Sequence, residues 1–184
     1  MIFEPTPLQG AYLVRLQPIE DERGFFVRTF CKKEFEAIGH EKEFVQMNQS
    51  YNKLKGTLRG MHYQLPPHQE IKLVRCIAGI VYDVIIDLRK DSLTYLHHFG
   101  AELSPENFCM MYVPEGFAHG FQTLSDHSSL VYHHTAYYTP GSEGGLRYDD
   151  KRLAIRWPIE PTCLSEKDQQ YPYLVENFNG IEKI

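Results

Sequence analysis

Apolar and polar residues alternate along much of the chain, the period of a strand with one face turned to a core. Such runs cover Ala11 to Pro18, Phe44 to Ser50, Leu58 to Leu65, Lys72 to Ile77, Tyr95 to Leu103, Phe108 to Val113, His119 to Leu124 and Ser129 to Tyr138. A further strand, Phe25 to Phe30, follows the turn Asp21-Glu22-Arg23-Gly24. The densest run is Ile80 to Leu88, rich in the β-branched residues that pack well on a pleated surface. Asp83 and Asp87 share a face of it, which reads as a solvated or hydrogen-bonded strand face. Helical signals are few. Lys32 to Ile38 ends at Gly39, a C-cap residue, and a second short helix starts at Ser165. Tyr51 to Gly56 reads as a polar turn, and Ser104-Pro105-Glu106-Asn107 and Pro114-Glu115-Gly116 as others. After Pro140 the chain is loop-rich. The pattern predicts one all-β domain over 1–184, a double-sheet jelly roll with a short N-terminal helix and a C-terminal extension.

Composition supports a globular chain of one domain's length: 184 residues, 42% hydrophobic and 23% charged. A net charge of −5 argues against a nucleic-acid partner. Four scattered cysteines, Cys31, Cys76, Cys109 and Cys163, lack the paired spacing of a structural zinc site and read as space-filling thiols. Met1 to Gly10 has no sustained apolar core, so no signal peptide is expected. No apolar run approaches membrane-spanning length, and the expectation is a cytoplasmic protein without a membrane partner.

The polar load concentrates in Leu58 to Arg75, LRGMHYQLPPHQEIKLVR. Alternation puts Leu58, Gly60, His62 and Gln64 on one face, and Arg59, Met61, Tyr63 and Leu65 on the other. Lys72 returns after the Pro66-Pro67 turn, in which His68 and Glu70 read as turn residues. A second stretch, Pro114-x-Gly116-x-x-His119, resembles the second motif of the cupin superfamily, whose histidine faces into the barrel and often binds a metal. The matching first-motif pair is His62-x-Gln64, and a neutral amide is a poor transition-metal ligand. His62, His119 and Glu70 would be the remaining way to build such a site. The expectation is no metal and no cofactor, which leaves an inward histidine free to carry protons.

Ordered matches extend this across nearly the whole chain. They include Asp21-Glu22-Arg23-Gly24-Phe25-Phe26, Phe44-Val45-Gln46, Leu58-Arg59-Gly60-Met61-His62-Tyr63-Gln64, Lys72-Leu73-Val74-Arg75, Tyr132, Tyr137-Tyr138, Trp157-Pro158 and Leu164-Ser165-Glu166-Lys167-Asp168. On these the sequence resembles the dTDP-4-keto-6-deoxy-sugar 3,5-epimerases, the RmlC family.

The resemblance implies a nucleotide-linked 4-keto-6-deoxy sugar as substrate, whose ketone acidifies the hydrogens on C3 and C5. Epimerisation then needs a base, an acid on the opposite face, and donors to hold the enolate oxygen. By family position His62 is the base, Asp168 its carboxylate partner, Tyr132 the acid and Lys72 the enolate-stabilising ammonium. Arg59 and His119 match positions lining the sugar-diphosphate pocket. Gln46, Asn48 and Tyr138 match nucleoside contacts, with Glu143 completing that end. Arg23 matches a phosphate contact brought from a neighbouring subunit, because family homodimers exchange N-terminal strands; Phe26 is counted with it among the substrate-binding positions.

Departures touch substrate choice. Met47 stands where the family usually has an acidic residue, and Ser92-Leu93-Thr94-Tyr95-Leu96 and Tyr148-Asp149-Asp150 replace common motifs. Inversion of one centre only, a CDP- or GDP-linked sugar, a ketoisomerase and a cupin that only binds a sugar nucleotide therefore stay open as alternatives.

Overall fold

A computed structural model of the chain describes residues 1–176 and 178–182. Two antiparallel sheets face each other, as the strand pattern predicts. One has six strands: β1 (Ile2–Pro5), β2 (Tyr12–Arg15), β5 (Gln46–Asn52), β7 (Lys72–Ala78), β10 (Cys109–Val113) and β12 (Ser128–His134), in the order β1-β2-β10-β7-β12-β5. The other has five: β6 (Leu58–Gln64), β8 (Val81–Asp87), β9 (His98–Leu103), β11 (Phe117–Thr123) and β13 (Glu143–Gly145), in the order β13-β6-β11-β8-β9. A separate hairpin, β3 (Ile19–Asp21) with β4 (Gly24–Phe26), stands apart from both.

The core lies between the sheets. Val74, Cys76, Met111 and Leu130 meet Val81, Ile85, Leu103 and Phe121 there. The continuous apolar run of β8 has a reason beyond this core. Its other face, Val84 and Ile86, is covered by Leu146, Leu153, Leu174 and Ile181 of the C-terminal extension. Both faces are thus buried, and the strand has no solvent side to mark with polar residues. The N-terminal helix α1 (Lys32–Phe35) continues as a single 3₁₀ turn that closes at Gly39, whose φ is +77°. So short a helix does not hold itself in water. Phe35, fully buried, anchors it with ring contacts to Phe30 and Phe3 at 4.9 and 5.0 Å.

Several expected boundaries move. The strand expected to run to Phe30 stops at Phe26, and β5 runs on to Asn52 through residues expected to be a turn. Of the cysteines, Cys76 and Cys109 fill space in the interior, whereas Cys163 is exposed.

One correction matters for the site. Arg59 and His62 do not lie on opposite faces of β6. His62 pairs with His119 and Arg59 with Phe121, so three steps along β6 match two along β11. That extra residue is a bulge, and it reverses the parity of the side chains on either side of it. Gly60 sits in the bulge at φ +129°, and a Cβ there would come within 2.6 Å of the Gly120 Cα. Only glycine lets the two backbones approach so closely. Among the described residues no helix is long and apolar enough to cross a membrane.

Candidate active site

At one end of the space between the two sheets, polar side chains replace the core. From the six-stranded sheet, Gln46, Asn48 and Ser50 of β5, Lys72 of β7, and Tyr132 and His134 of β12 point inward at the strand period of two. From the five-stranded sheet come Arg59 and His62 of β6 and His119 of β11. All but Gln46 line an inner cavity of about 260 Å³, which adjoins an outer one of about 680 Å³ that Gln46 lines. The two share Asn48, Arg59, His62, Lys72 and His134 and form one depression.

Asp168 reaches His62 from the C-terminal extension. Ser165 caps the helix α2 (Glu166–Gln170), its hydroxyl accepting from the Asp168 amide at 3.0 Å. This turns the Asp168 carboxylate, 3% exposed, onto β6, where His62 Nε2 donates to Oδ1 at 2.5 Å. Burial works against ionising Asp168. The bond and charge of His62, with bonds from Ser165 and the Gly60 backbone, more than offset it and hold the carboxyl below its ordinary range. An ionised carboxylate can only accept, so the proton in this bond is carried on His62 Nε2, and the second ring nitrogen, Nδ1, makes no part of the pair.

Tyr132 belongs to the opposite sheet. Its hydroxyl shares a hydrogen bond of 2.8 Å with Ser50 Oγ, and its ring meets the His119 ring edge-on at 6.1 Å. Burial, only partly offset by Ser50, pushes the phenol well above the ordinary tyrosine range. It is therefore fully protonated at neutral pH and able to donate. His119 is itself paired, Nε2 donating to Asp83 Oδ2 at 2.8 Å. Asp83 and Asp87 are both completely buried, so of the two readings of that strand face, solvated or hydrogen-bonded, the second holds. Asp83 binds His119, while Asp87 is held by Arg89, Ser92 and Thr94.

Glu70 also corrects the sequence reading. It is no turn residue but part of the cavity wall, with Oε1 at 3.2 Å from the Lys72 ammonium and Oε2 accepting from His134 Nδ1 at 2.7 Å. Burial opposes its charge, but His134 and Lys72 outweigh it and hold the carboxyl below the usual glutamate range. Lys72, with a side chain 12% exposed, is largely buried in the same wall. The period of two, continued from Asn48 to Ser50 and from Tyr132 to His134, was the signal for two residues that sequence reasoning missed. For Glu70 and Asp83 the sequence held no such signal.

At the outer end, Gln46 Oε1 accepts from the Tyr138 amide at 3.0 Å, and Glu143 pairs with Lys167 at 2.8 Å. Every expected site residue lines the depression except Arg23 and Phe26. Those two lie on the β3–β4 hairpin, where Arg23 pairs with Asp21 and Phe26 is 72% exposed. Among the described residues, no three His, Cys, Asp or Glu side chains form a group able to hold a metal ion.

Known proteins match this chain throughout. The family model for dTDP-4-dehydrorhamnose 3,5-epimerase matches residues 5–176. The enzyme of that name from Shigella flexneri is 48% identical over 149 residues, 80% of this chain and 82% of that protein. The Bacillus anthracis enzyme, in a crystal structure with TDP and PPi bound, is 41% identical with a TM-score of 0.91, covering 94% of this chain and 99% of that one. The Legionella pneumophila enzyme, dTDP-6-deoxy-D-glucose-3,5-epimerase in complex with dTDP-4-keto-L-rhamnose, is 37% identical with a TM-score of 0.92, covering 100% and 98%.

Proposed function

The chain belongs to the dTDP-4-dehydrorhamnose 3,5-epimerase family and epimerises a dTDP-linked 4-keto-6-deoxy sugar, and from that premise we propose a metal-free acid–base mechanism run by His62 and Tyr132. One observation carries it: a carboxylate-backed histidine on one sheet and a protonated tyrosine on the other line the same cavity. His62 Nδ1 removes the proton next to the ketone. The resulting imidazolium is stabilised by Asp168 at 2.5 Å. Negative charge moves onto the C4 oxygen, where Lys72 and Arg59 offer charge and hydrogen-bond donors. Tyr132 then returns a proton from the opposite face, and the centre inverts.

The rest of the cavity fits a nucleotide. Gln46, Asn48, Tyr138 and Glu143 line its outer end, where the half-exposed Tyr138 ring offers a stacking face for the base. The reaction proposed is conversion of dTDP-4-dehydro-6-deoxy-D-glucose to dTDP-4-dehydro-L-rhamnose, in the cytoplasm. With that substrate in deuterated water, the purified protein should wash deuterium into both C3 and C5, read by NMR. Exchange at neither carbon removes the epimerase reading, and exchange at one narrows it to a single centre.

The β3–β4 hairpin supports a homodimer with exchanged N-terminal strands. Ile19, Phe25 and Phe26 are 72%, 56% and 72% exposed, more apolar surface than a free hairpin usually leaves to water. Docked on a second copy, it would carry Arg23 towards the partner's cavity as a phosphate contact. Light scattering should then give about twice the 21.5 kDa of one chain, and Arg23→Ala should weaken nucleotide binding. A monomeric mass at micromolar concentration ends this part of the reading.

A further inference from the structure

In the cavity wall, Lys72 and Asn48 are tied together by two polar groups that the mechanism above leaves unused, Glu70 and His134. Glu70 has 9% of its side chain exposed, one oxygen towards Lys72 and the other towards His134. On the far side of His134, Nε2 lies 3.3 Å from Asn48 Nδ2. Lys72, His134 and Asn48 all line the cavity.

The hydrogen-bond directions follow from chemistry. An ionised carboxylate has no proton to give, so His134 donates from Nδ1. A neutral ring with its proton on Nδ1 has a lone pair on Nε2, which accepts from the Asn48 amide nitrogen. That leaves the Asn48 carbonyl oxygen, which makes no hydrogen bond among the described residues, on a side chain that lines the cavity. The same carboxylate balances the Lys72 ammonium, which shares the cavity with the Arg59 guanidinium.

We propose that Glu70 is a positioning residue: it fixes where Lys72 presents its charge and, by locking the His134 tautomer, which end of the Asn48 amide meets the substrate. This rests on the epimerase reading for its effect on rate, though not for the lock itself. A fixed cation stabilises a developing enolate without reorganising at the moment of reaction, whereas a mobile one must first be brought into place.

Glu70→Gln tests the idea with almost no change of shape. The amide keeps one acceptor and gains a donor. It can serve Lys72 or the Nδ1 proton, but not both as the carboxylate does. With its NH₂ towards His134, the ring takes up the Nε2–H form and the Asn48 amide turns over. The expected result is a kcat lower by at least about tenfold, through Lys72, and a KM raised severalfold, through the turned Asn48 amide. In a Lys72→Met background the same change should lower kcat by less than about twofold, because on the chemical step Glu70 acts through Lys72.

Long-range ¹H–¹⁵N spectra of the histidine rings read the lock without turnover. His134, assigned by loss of its signals in His134→Gln, should show the Nδ1–H pattern in the wild type and move towards Nε2–H in Glu70→Gln. Full kcat in Glu70→Gln, a loss that multiplies undiminished with that of Lys72→Met, or a ring pattern that Glu70→Gln leaves unmoved overturns the proposal. A wild type that exchanges no deuterium removes the epimerase reading, and the ring spectra still decide the lock.

Discussion

Replacing His62 with alanine should stop deuterium exchange at the sugar, lowering it by about 10³-fold or more while nucleotide still binds. The size of the effect follows from the chemistry. Hydrogens next to a ketone leave only when a base of suitable strength stands at contact distance, and alanine offers none. Asp168 lines the outer cavity but stands behind the imidazole, a ring's width short of the position that His62 Nδ1 occupies, so it does not substitute. The variant leaves that carboxylate without its ring partner, which costs stability. His62→Gln answers this, since its amide can still donate to Asp168 but has no basic nitrogen. Loss of exchange in both, with melting temperatures near the wild type in the glutamine variant, assigns the base. Substantial exchange in His62→Gln would move the role elsewhere, first to His119.

Replacing Tyr132 with phenylalanine should separate the two halves of the reaction. His62 still removes and returns a proton on its own face, so deuterium enters the substrate with retention. Inversion needs a donor on the opposite sheet, and formation of epimerised product should fall by at least about 10²-fold. The hydroxyl lost makes one bond in the structure, to Ser50 at 2.8 Å, so the fold should lose only about 1 kcal/mol. NMR following label and stereochemistry together checks this. Equal loss of exchange and inversion would mean that Tyr132 also takes part in the abstraction. Full inversion would remove it from the mechanism.

Much of this was legible in the residues. Alternation located most strands of both sheets, with boundaries shifted by a few positions, but not β1 or β13, and the turn chemistry at Gly39 and Ser165 closed and opened the two short helices where expected. Alternation also reports which side chains share a face, which is why His62 and Gln64 emerged as neighbours. The ordered motifs from Arg23 to Asp168 named the family's chemistry, and the comparisons agree with it.

Tertiary structure decided the rest, because a strand's period describes only its own backbone. The bulge at Gly60 is a relation between β6 and β11, and it brings Arg59 to the cavity against the parity of its strand. The pairing of His62 with Asp168 joins residues 106 positions apart. No periodicity reaches across such a gap. Buried carboxylates were the hardest to foresee. A charge leaves water only where partners wait, and those of Asp83 and Glu70 lie on other strands: His119 on β11, His134 on β12 and Lys72 on β7. Their sequence neighbours say nothing about who those partners are.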